Sequence, residues 1–377
     1  MRTLLQFSLA VSLSGSLFAQ YPALTLPPSG NNQKASVTQF IGPVKVTIDY
    51  SSPAVHAAGG KDRRGEIWGK LVPYGMTDLG LRGGKPSPWR GGANENTVFT
   101  VSDPVSIEGQ TLAAGQYGLH LIPGQDEWTV VFSKNAAAWG SFFYDDSQDA
   151  LRVKVKPAKH EYREWLTYEF TTRRPAEATA ELQWEELAVP FHIKVENVNE
   201  IYISKLRKDL TGGAGFDPLA YDAAAQFCVQ AGTHLEDALA WADLAINPPI
   251  GQTNFATMST KAQVLSKMGR DAEAATLMQA AVRNPSATTI EIHLYGRQLL
   301  TEKKNAEALE IFKLNAERHG DAWPVNVGLA RAYMALGDYK KAAEYAQKAV
   351  AQAPDPTNKK NLEAMAKTLS DGKPYDN

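Results

Sequence analysis

The chain has 377 residues, of which 39 are lysine or arginine and 41 are aspartate or glutamate, so its formal net charge is −2 at pH 7. A charge this close to zero gives no field that would steer DNA, RNA or an anionic membrane to the surface, and nucleic acid is not an expected partner. The length suits two domains. The single cysteine, Cys228, rules out an intramolecular disulfide and is expected to be a small core residue.

The first 19 residues have the composition of a secretory signal peptide. Arg2 precedes an apolar segment that ends at the small residue Ala19. We therefore expect export, to the periplasm or out of the cell. The apolar segment is shorter than the roughly 20 residues of a membrane-spanning helix, so no membrane span is expected. Residues 20–34 are rich in proline, glycine and asparagine and are predicted to form a flexible lead.

Apolar residues alternate with period two at several places between residues 35 and 200. This alternation is typical of strands with one buried face. The sets are Val44, Val46, Ile48 and Tyr50; Leu119 and Leu121; Trp128, Val130 and Phe132; Leu151, Val153 and Val155; Leu166, Tyr168 and Phe170; Leu182 and Trp184; and Phe191, Ile193 and Val195. Turn signals such as Glu108-Gly109 separate them. Residues 35–200 are therefore predicted to form an antiparallel β-sandwich.

A short helical pattern follows the strands. Apolar residues at helical spacing between Ile201 and Leu210 precede the Gly212-Gly213 pair. We predict a linker helix and hinge over residues 201–216.

Residues 217–377 carry a repeat with a period of 34 residues. Ala274, Ala308 and Ala342 mark this period, and each lies in an alanine-rich amphipathic stretch. Short side chains let antiparallel helices approach closely. The pattern predicts helical hairpins with turns at Gly232, Gly269 and Gly337, and a capping helix near residues 358–369. The predicted fold class is therefore α+β with two domains, a β-sandwich and an all-α solenoid.

Two resemblances go with these patterns. The C-terminal repeats resemble the tetratricopeptide repeat family, which implies protein or peptide binding on the inner face. The β-domain contains, in order, the segments 61–69 (KDRRGEIWG), 71–75 (LVPYG), 89–97 (WRGGANENT) and 112–119 (LAAGQYGL), followed by Ile122-Pro123, Trp128 and Trp139-Gly140. These segments resemble an exported bacterial family known only as a domain of unknown function (family 2911), which implies fold and export but no activity.

Residues 89–97 are the candidate ligand-binding segment. A sugar ring would stack on Trp89 and accept hydrogen bonds from Arg90 and Asn94, whereas a carboxylate ligand would favour Arg90 or Arg63. The alternative is a structural loop in which Asn94 and Thr97 bond backbone groups and Arg90 pairs with a carboxylate such as Glu66. The predicted ligand-binding residues are Arg63, Trp89, Arg90, Asn94 and Thr97.

Catalytic and metal motifs are missing from the sequence. The histidines lack partners at metal-ligand spacing, the acidic residues 145–149 lack the glycine and distal glutamate of a calcium loop, and no nucleophile elbow or phosphate loop occurs. We predict no cofactor and no metal.

The favoured function is an exported, non-enzymatic binding or scaffold protein, with a polar-aromatic patch on the β-domain and repeats that bind a protein or peptide partner. Two alternatives stay open. One is a carbohydrate-active or other hydrolase that uses carboxylates among Glu66, Glu95, Asp145 and Glu169. The other is a structural or assembly factor of the cell envelope.

Overall fold

The computed structural model describes residues 32–57, 59–81 and 83–375. The predicted signal peptide and most of the predicted lead lie outside the described residues. The chain divides into two compact units, with the boundary between Val198 and Asn199. None of the helices among the described residues is both long and apolar enough to span a membrane.

The N-terminal unit is built from strands. They are β1 (Gln33–Ile41), β2 (Val44–Ser52), β3 (Thr97–Val101), β4 (Val105–Ile107), β5 (Gln110–Leu112), β6 (Gly115–Ile122), β7 (Trp128–Ser133), β8 (Asp149–Val155), β9 (Ala158–Arg174) and β10 (Glu177–Lys194). One sheet has the order β1-β2-β3-β6-β7-β8 and the other the order β5-β4-β10-β9, and all pairings between these strands are antiparallel.

The two sheets pack against each other through their apolar faces. The ring of Phe191 on β10 lies 6.2 Å from that of Phe99 on β3 and 5.9 Å from that of Phe132 on β7, measured between centroids. All three side chains are buried. The predicted antiparallel sandwich is therefore confirmed.

Strand β10 joins two alternating patterns that the sequence presents as separate sets. Leu182 and Trp184 are buried at even positions, whereas Phe191 and Ile193 are buried at odd positions. The register shifts on both sides of Glu185, whose φ of 55° is left-handed. A bulge of this kind adds a residue to one strand and changes which side chains face inward. One long strand therefore replaces two.

A long connection between β2 and β3, residues 53–96, is held down by backbone hydrogen bonds instead of a continuous ladder. The Val55 amide donates to the Glu164 carbonyl at 2.7 Å, and the Gly75 amide donates to the Pro123 carbonyl at 2.7 Å. Thr77 and Ser87 exchange two bonds of 2.9 and 2.8 Å. This connection carries most of the candidate site.

The C-terminal unit is helical. Its helices are α1 (Val198–Asp209), α2 (Pro218–Ala231), α3 (Leu235–Ile246), α4 (Phe255–Lys267), α5 (Asp271–Ala281), α6 (Thr289–Thr301), α7 (Asn305–His319), α8 (Trp323–Ala335), α9 (Tyr339–Ala351) and α10 (Pro356–Ser370). Helices α2 to α9 form four hairpins, and α10 packs on α9. The predicted turns at Gly232, Gly269 and Gly337 all adopt positive φ. The predicted helical repeat region is confirmed.

Local sequence sets the helix starts. At α6 the Thr288 hydroxyl accepts a hydrogen bond from the Glu291 amide at 3.3 Å, while the Glu291 carboxylate accepts one from the Thr288 amide at 2.8 Å. Such a reciprocal capping box satisfies amides that have no partner within the helix.

Three hydrophobic clusters run along the helical unit. The first joins Ile203 of α1 to the first hairpin and contains the fully buried Cys228. Helix α1 thus packs within the helical unit. Burial raises the pKa of the Cys228 thiol to about 11, as expected for a core cysteine. The second cluster spans α4 to α8 and the third spans α8 to α10.

Phe312 of α7 lies between two helices that approach closely because each has a glycine at the contact. A Cβ added at Gly296 of α6 would lie 2.6 Å from the Phe312 ring, and one added at Gly328 of α8 would lie closer still. The ring is fully buried. It therefore has no free space into which it could move.

Replacing Gly328 with alanine should destabilise the protein by about 1–3 kcal/mol, the usual cost of overpacking. This sign is informative because alanine normally stabilises a helix interior by about 1 kcal/mol relative to glycine. Urea unfolding measures the difference. Gly213→Ala is the control, because a Cβ there meets nothing within 4 Å, and Phe312→Leu should partly rescue Gly328→Ala. Equal stability of Gly328→Ala and the wild type would contradict this packing.

Candidate functional site

Residues 89–97 form a rigid loop that is fixed at both ends by β6. Trp89 and Leu121 exchange two backbone hydrogen bonds of 2.8 Å, and Thr97 begins β3. Between them, the Gly91 carbonyl accepts hydrogen bonds from the Tyr168 hydroxyl at 2.9 Å and the Thr97 hydroxyl at 3.2 Å. A side chain at Gly91 would collide with the Tyr168 hydroxyl, and its φ of 62° also favours glycine. The loop is thus part of the packed structure.

Four indole rings pack together where this loop begins, and one of them is Trp89 itself. Trp68 packs edge-on against Trp89, Trp128 and Trp184, with centroid distances of 5.9, 5.3 and 5.7 Å. Trp89 and Trp184 are stacked at 6.3 Å with an interplanar angle of 17°. Each such pair contributes about 0.5–1.5 kcal/mol beyond its buried area. We call these four residues the tryptophan cluster.

Arg90 points its guanidinium toward residues 140–142. It donates to the Asn94 carbonyl, lies 4.9 Å from the centroid of the Phe142 ring, and fills the space that a Cβ at Gly140 would need. Burial lowers its pKa. Arg90 does not pair with Glu66, whose carboxylate instead accepts from Lys70 at 2.6 Å. The contacts of Arg90 described here hold the loop together.

Asn94 and Thr97 also have local partners. The Asn94 side-chain oxygen accepts a hydrogen bond from the side chain of Asn32 at 3.0 Å, and its φ of 58° is left-handed. The Thr97 side chain is fully buried. Neither residue lines the cavity described next.

A cavity of about 460 Å³ opens beside the tryptophan cluster and brings together Arg63, Trp89 and Arg90. The other residues of its wall were not predicted from the sequence, although several belong to the segments 71–75 and 89–97. They are Asn32, Pro53, Leu71, Val72, Pro73, Gly75, Thr77, Leu79, Ser87, Pro88, Gly92, Ala93 and Trp184. Cavities that hold small ligands have volumes of roughly 300–1,000 Å³.

The described wall of this cavity contains no carboxylate, imidazole or thiol. The four carboxylates of the hydrolase alternative lie in separate pairings: Glu66 with Lys70, Glu95 with Lys34, Asp145 with the Ser147 amide, and Glu169 with Arg163. Among the described residues no three histidines, cysteines or acids come together as a metal site. The described wall thus offers groups for binding but no acid–base pair.

His120 is a buried group of β6, between Leu119 and Leu121 of the alternating apolar set. Its exposed fraction is 2%, and its Nδ1 lies 2.9 Å from the Ser141 hydroxyl. The ring also meets Tyr144 edge-on at 5.4 Å. Burial, assisted by the positive charge of Arg90, lowers the pKa of His120 to about 4. By contrast, His192 is largely exposed and bonds Glu108 at 2.9 Å.

The helical unit presents a second candidate surface on α6. Ile290 and Leu294 are 50% and 55% exposed, and Arg297 follows them at the spacing of one helix face. Burial, followed by the charge of Arg297, lowers the pKa of Arg331 on α8, 34 residues further along. This basic pair is not evident from the sequence, because single residues one repeat apart do not form a visible cluster. We call Ile290, Leu294 and Arg297 the α6 stripe.

Comparison with known proteins identifies two families. Residues 32–193 match the model of a family described as a protein of unknown function (DUF2911), and residues 299–366 match a tetratricopeptide repeat model. Both resemblances inferred from the sequence are confirmed. None of the curated proteins matches the chain.

Several solved structures resemble part of the chain. YrrB, described as a tetratricopeptide repeat protein with an unusual peptide-binding site, is 22% identical over 45% of this chain and 86% of its own, with a TM-score of 0.31. The C-terminal part of a repeat protein from Cytophaga hutchinsonii is 19% identical over 45% and 65%, with a TM-score of 0.36. MamA from Desulfovibrio magneticus RS-1 is 19% identical over 41% and 90%, with a TM-score of 0.30.

Replacing Arg90 with alanine should lower stability by about 1.5–3 kcal/mol, the range for losing hydrogen bonds of a charged group. Arg90→Lys should be intermediate, because lysine keeps the charge but lacks the planar group that lies over Phe142. Thermal unfolding of the full chain measures the effect. Arg64→Ala removes an exposed guanidinium from the same domain and should change little. An unchanged melting temperature for Arg90→Ala would show that the loop does not depend on this side chain.

Stability should fall as the pH drops from about 6.5 to about 4. The folded protein lowers the pKa of His120 from 6.5 to about 4, so the unfolded chain binds more protons in this window. The slope from one such group is at most about 1.4 kcal/mol per pH unit. Melting temperatures at about pH 7 and about pH 5 should therefore differ less in His120→Asn than in the wild type. His192→Asn, which changes an exposed histidine, should lose as much melting temperature between about pH 7 and about pH 5 as the wild type. If His120→Asn loses as much as the wild type, this account is refuted.

Proposed function

We propose that this chain, in which a DUF2911 domain precedes tetratricopeptide-like repeats, is an exported, non-enzymatic binding protein with two binding surfaces. The repeats bind a peptide or protein segment, and the β-domain cavity binds a small ligand. The composition of residues 1–19 supports export to the periplasm or the medium.

The observation that carries the proposal is the α6 stripe. A docked segment would cover large apolar side chains that lie one turn apart in solvent. Burying their surface makes the free energy of binding more favourable by about 25 cal/mol per Å². Other apolar positions of α6, such as Ile292 and Leu299, are already buried inside the array. The exposure of Ile290 and Leu294 is therefore not required by the fold.

Charge around the stripe favours an acidic segment. After the effect of burial, the charge of Arg297 lowers the pKa of Arg331. Burial lowers the pKa of His293, on the same helix, to about 4, and both arginines act in the same direction. An acidic residue in a bound segment would meet the positive charge of Arg297, which is exposed on the stripe. The partner is thus a segment with apolar and acidic residues.

The β-domain supports binding over catalysis through the composition of its cavity. Indole and guanidinium groups can hold a ligand, whereas hydrolysis would need an acid–base pair that the described wall does not provide.

Peptides selected by the full chain from a displayed random library should be enriched in apolar and acidic residues. The double variant Ile290→Asp/Leu294→Asp should weaken their binding by at least about tenfold, because it removes apolar contacts and repels acidic side chains. Fluorescence anisotropy measures the affinity. Leu244→Asp on α3, with a similarly exposed leucine, is the matched control. Equal affinity for wild type and double variant, or no selected peptides, would overturn the proposal for the repeats.

A further inference from the structure

The wall of the β-domain cavity is mostly apolar. Besides Trp89, it includes Leu71, Val72, Pro73, Leu79, Pro88 and Trp184. Leu71 is 49% exposed at its edge, while Trp184 is 1% exposed at its base. A wall of this kind buries the hydrocarbon part of a ligand, and the indoles favour a flat ring over a flexible chain because aromatic faces stack.

Arg63 places a positive charge on this wall and pairs with no acidic side chain among the described residues. Its Nε donates to the Val55 carbonyl at 3.1 Å and one terminal nitrogen, Nη2, donates to the Ala54 carbonyl at 2.5 Å. Both acceptors are neutral. These bonds fix the guanidinium in place, and the other terminal nitrogen, Nη1, forms no hydrogen bond with a described residue. Arg63 is thus preorganised to donate to a ligand.

The charge balance of the cavity points the same way. None of the described wall residues is acidic, and Arg63 brings a guanidinium to the wall. A cationic ligand would meet a like charge here, whereas an anion would meet an opposite charge in a partly desolvated site, where such attraction is strengthened.

Two wall residues also carry buried polar atoms without hydrogen-bond partners among the described residues. These are the Ser87 hydroxyl and the Trp184 indole nitrogen, on side chains that are 2% and 1% exposed. Leaving such an atom unsatisfied is unfavourable, and native proteins have few of them. An oxygen atom of a ligand could accept from either group after a small local adjustment.

We infer that the cavity binds an organic carboxylate with a flat apolar ring, the carboxylate meeting Arg63 and the ring lying against Trp89. This inference rests on the proposed role of the cavity as a ligand site and adds its chemical class. A single carboxylate matches the one free terminal nitrogen of Arg63.

The test is calorimetric titration of the full chain with phenylacetate, indole-3-acetate and benzoate, and with the corresponding neutral amides. At least one carboxylate should bind about tenfold more tightly than its own amide, because its hydrogen bond to Arg63 is charge-assisted. Acetate, which has no ring, should bind more weakly than the ring carboxylates.

Two substitutions locate the binding. Leu71→Trp should fill the cavity and abolish binding of every probe, whereas Leu81→Trp, which changes a leucine that is 62% exposed and not part of the cavity wall, should leave binding unchanged. Arg63→Gln should remove the preference for carboxylate over amide. Arg63 also donates to two backbone carbonyls, so Arg63→Gln could lower stability. Its ligand affinities are interpreted only if its melting temperature stays near the wild-type value. If the melting temperature falls, Leu71→Trp provides the test.

The outcomes separate the ligand class from the existence of a site. Amides that bind as tightly as carboxylates, with binding lost in Leu71→Trp, would overturn the carboxylate inference and keep the cavity as a ligand site. No binding of any probe would overturn the inference and remove the support for a small-ligand site in the β-domain. Carboxylate binding that survives Leu71→Trp would place the ligand elsewhere and also refute the inference.

Discussion

The tryptophan cluster is the contact on which the β-domain site depends. Trp128 comes from the six-stranded sheet and Trp184 from the four-stranded sheet, while Trp68 and Trp89 come from the long connection between β2 and β3. Backbone hydrogen bonds fix this connection only at separate points, so its shape between them is set by what its side chains pack against. The indoles provide that packing, and Trp89 and Trp184 of the cluster also line the cavity.

Much of the fold could be predicted from the sequence, because periodicity reports directly on which face of an element is buried. The 34-residue alanine period identified the hairpins, and the glycine turns fixed their phase. The pattern failed where a local irregularity changed the phase, as in β10, where the left-handed Glu185 moves the buried set from even to odd positions. Strand β1 was missed because its alternation is mostly polar and partly exposed.

The candidate site was only partly predictable. The amphipathic composition of residues 89–97 singled out this segment, and three of the predicted residues, Arg63, Trp89 and Arg90, line one cavity. Side-chain direction was not predictable, because it is decided by contacts far apart in the chain. The Tyr168 hydroxyl bonds the Gly91 carbonyl across 77 residues, and Phe142 receives the Arg90 guanidinium. Asn94 and Thr97 likewise have local hydrogen-bond partners that short-range patterns do not reveal.

The Phe312 ring has a consequence for how the helical unit opens. Because the ring is enclosed by Gly296 of one hairpin and Gly328 of the next, neither hairpin can separate without exposing the same side chain. Unfolding of one should therefore carry the other with it, and amide protons in α6, α7 and α8 should exchange with solvent as one cooperative group. In most repeat arrays each repeat contacts only its neighbours and can open separately. Here the hairpin α6–α7 and the hairpin α8–α9 should unfold together.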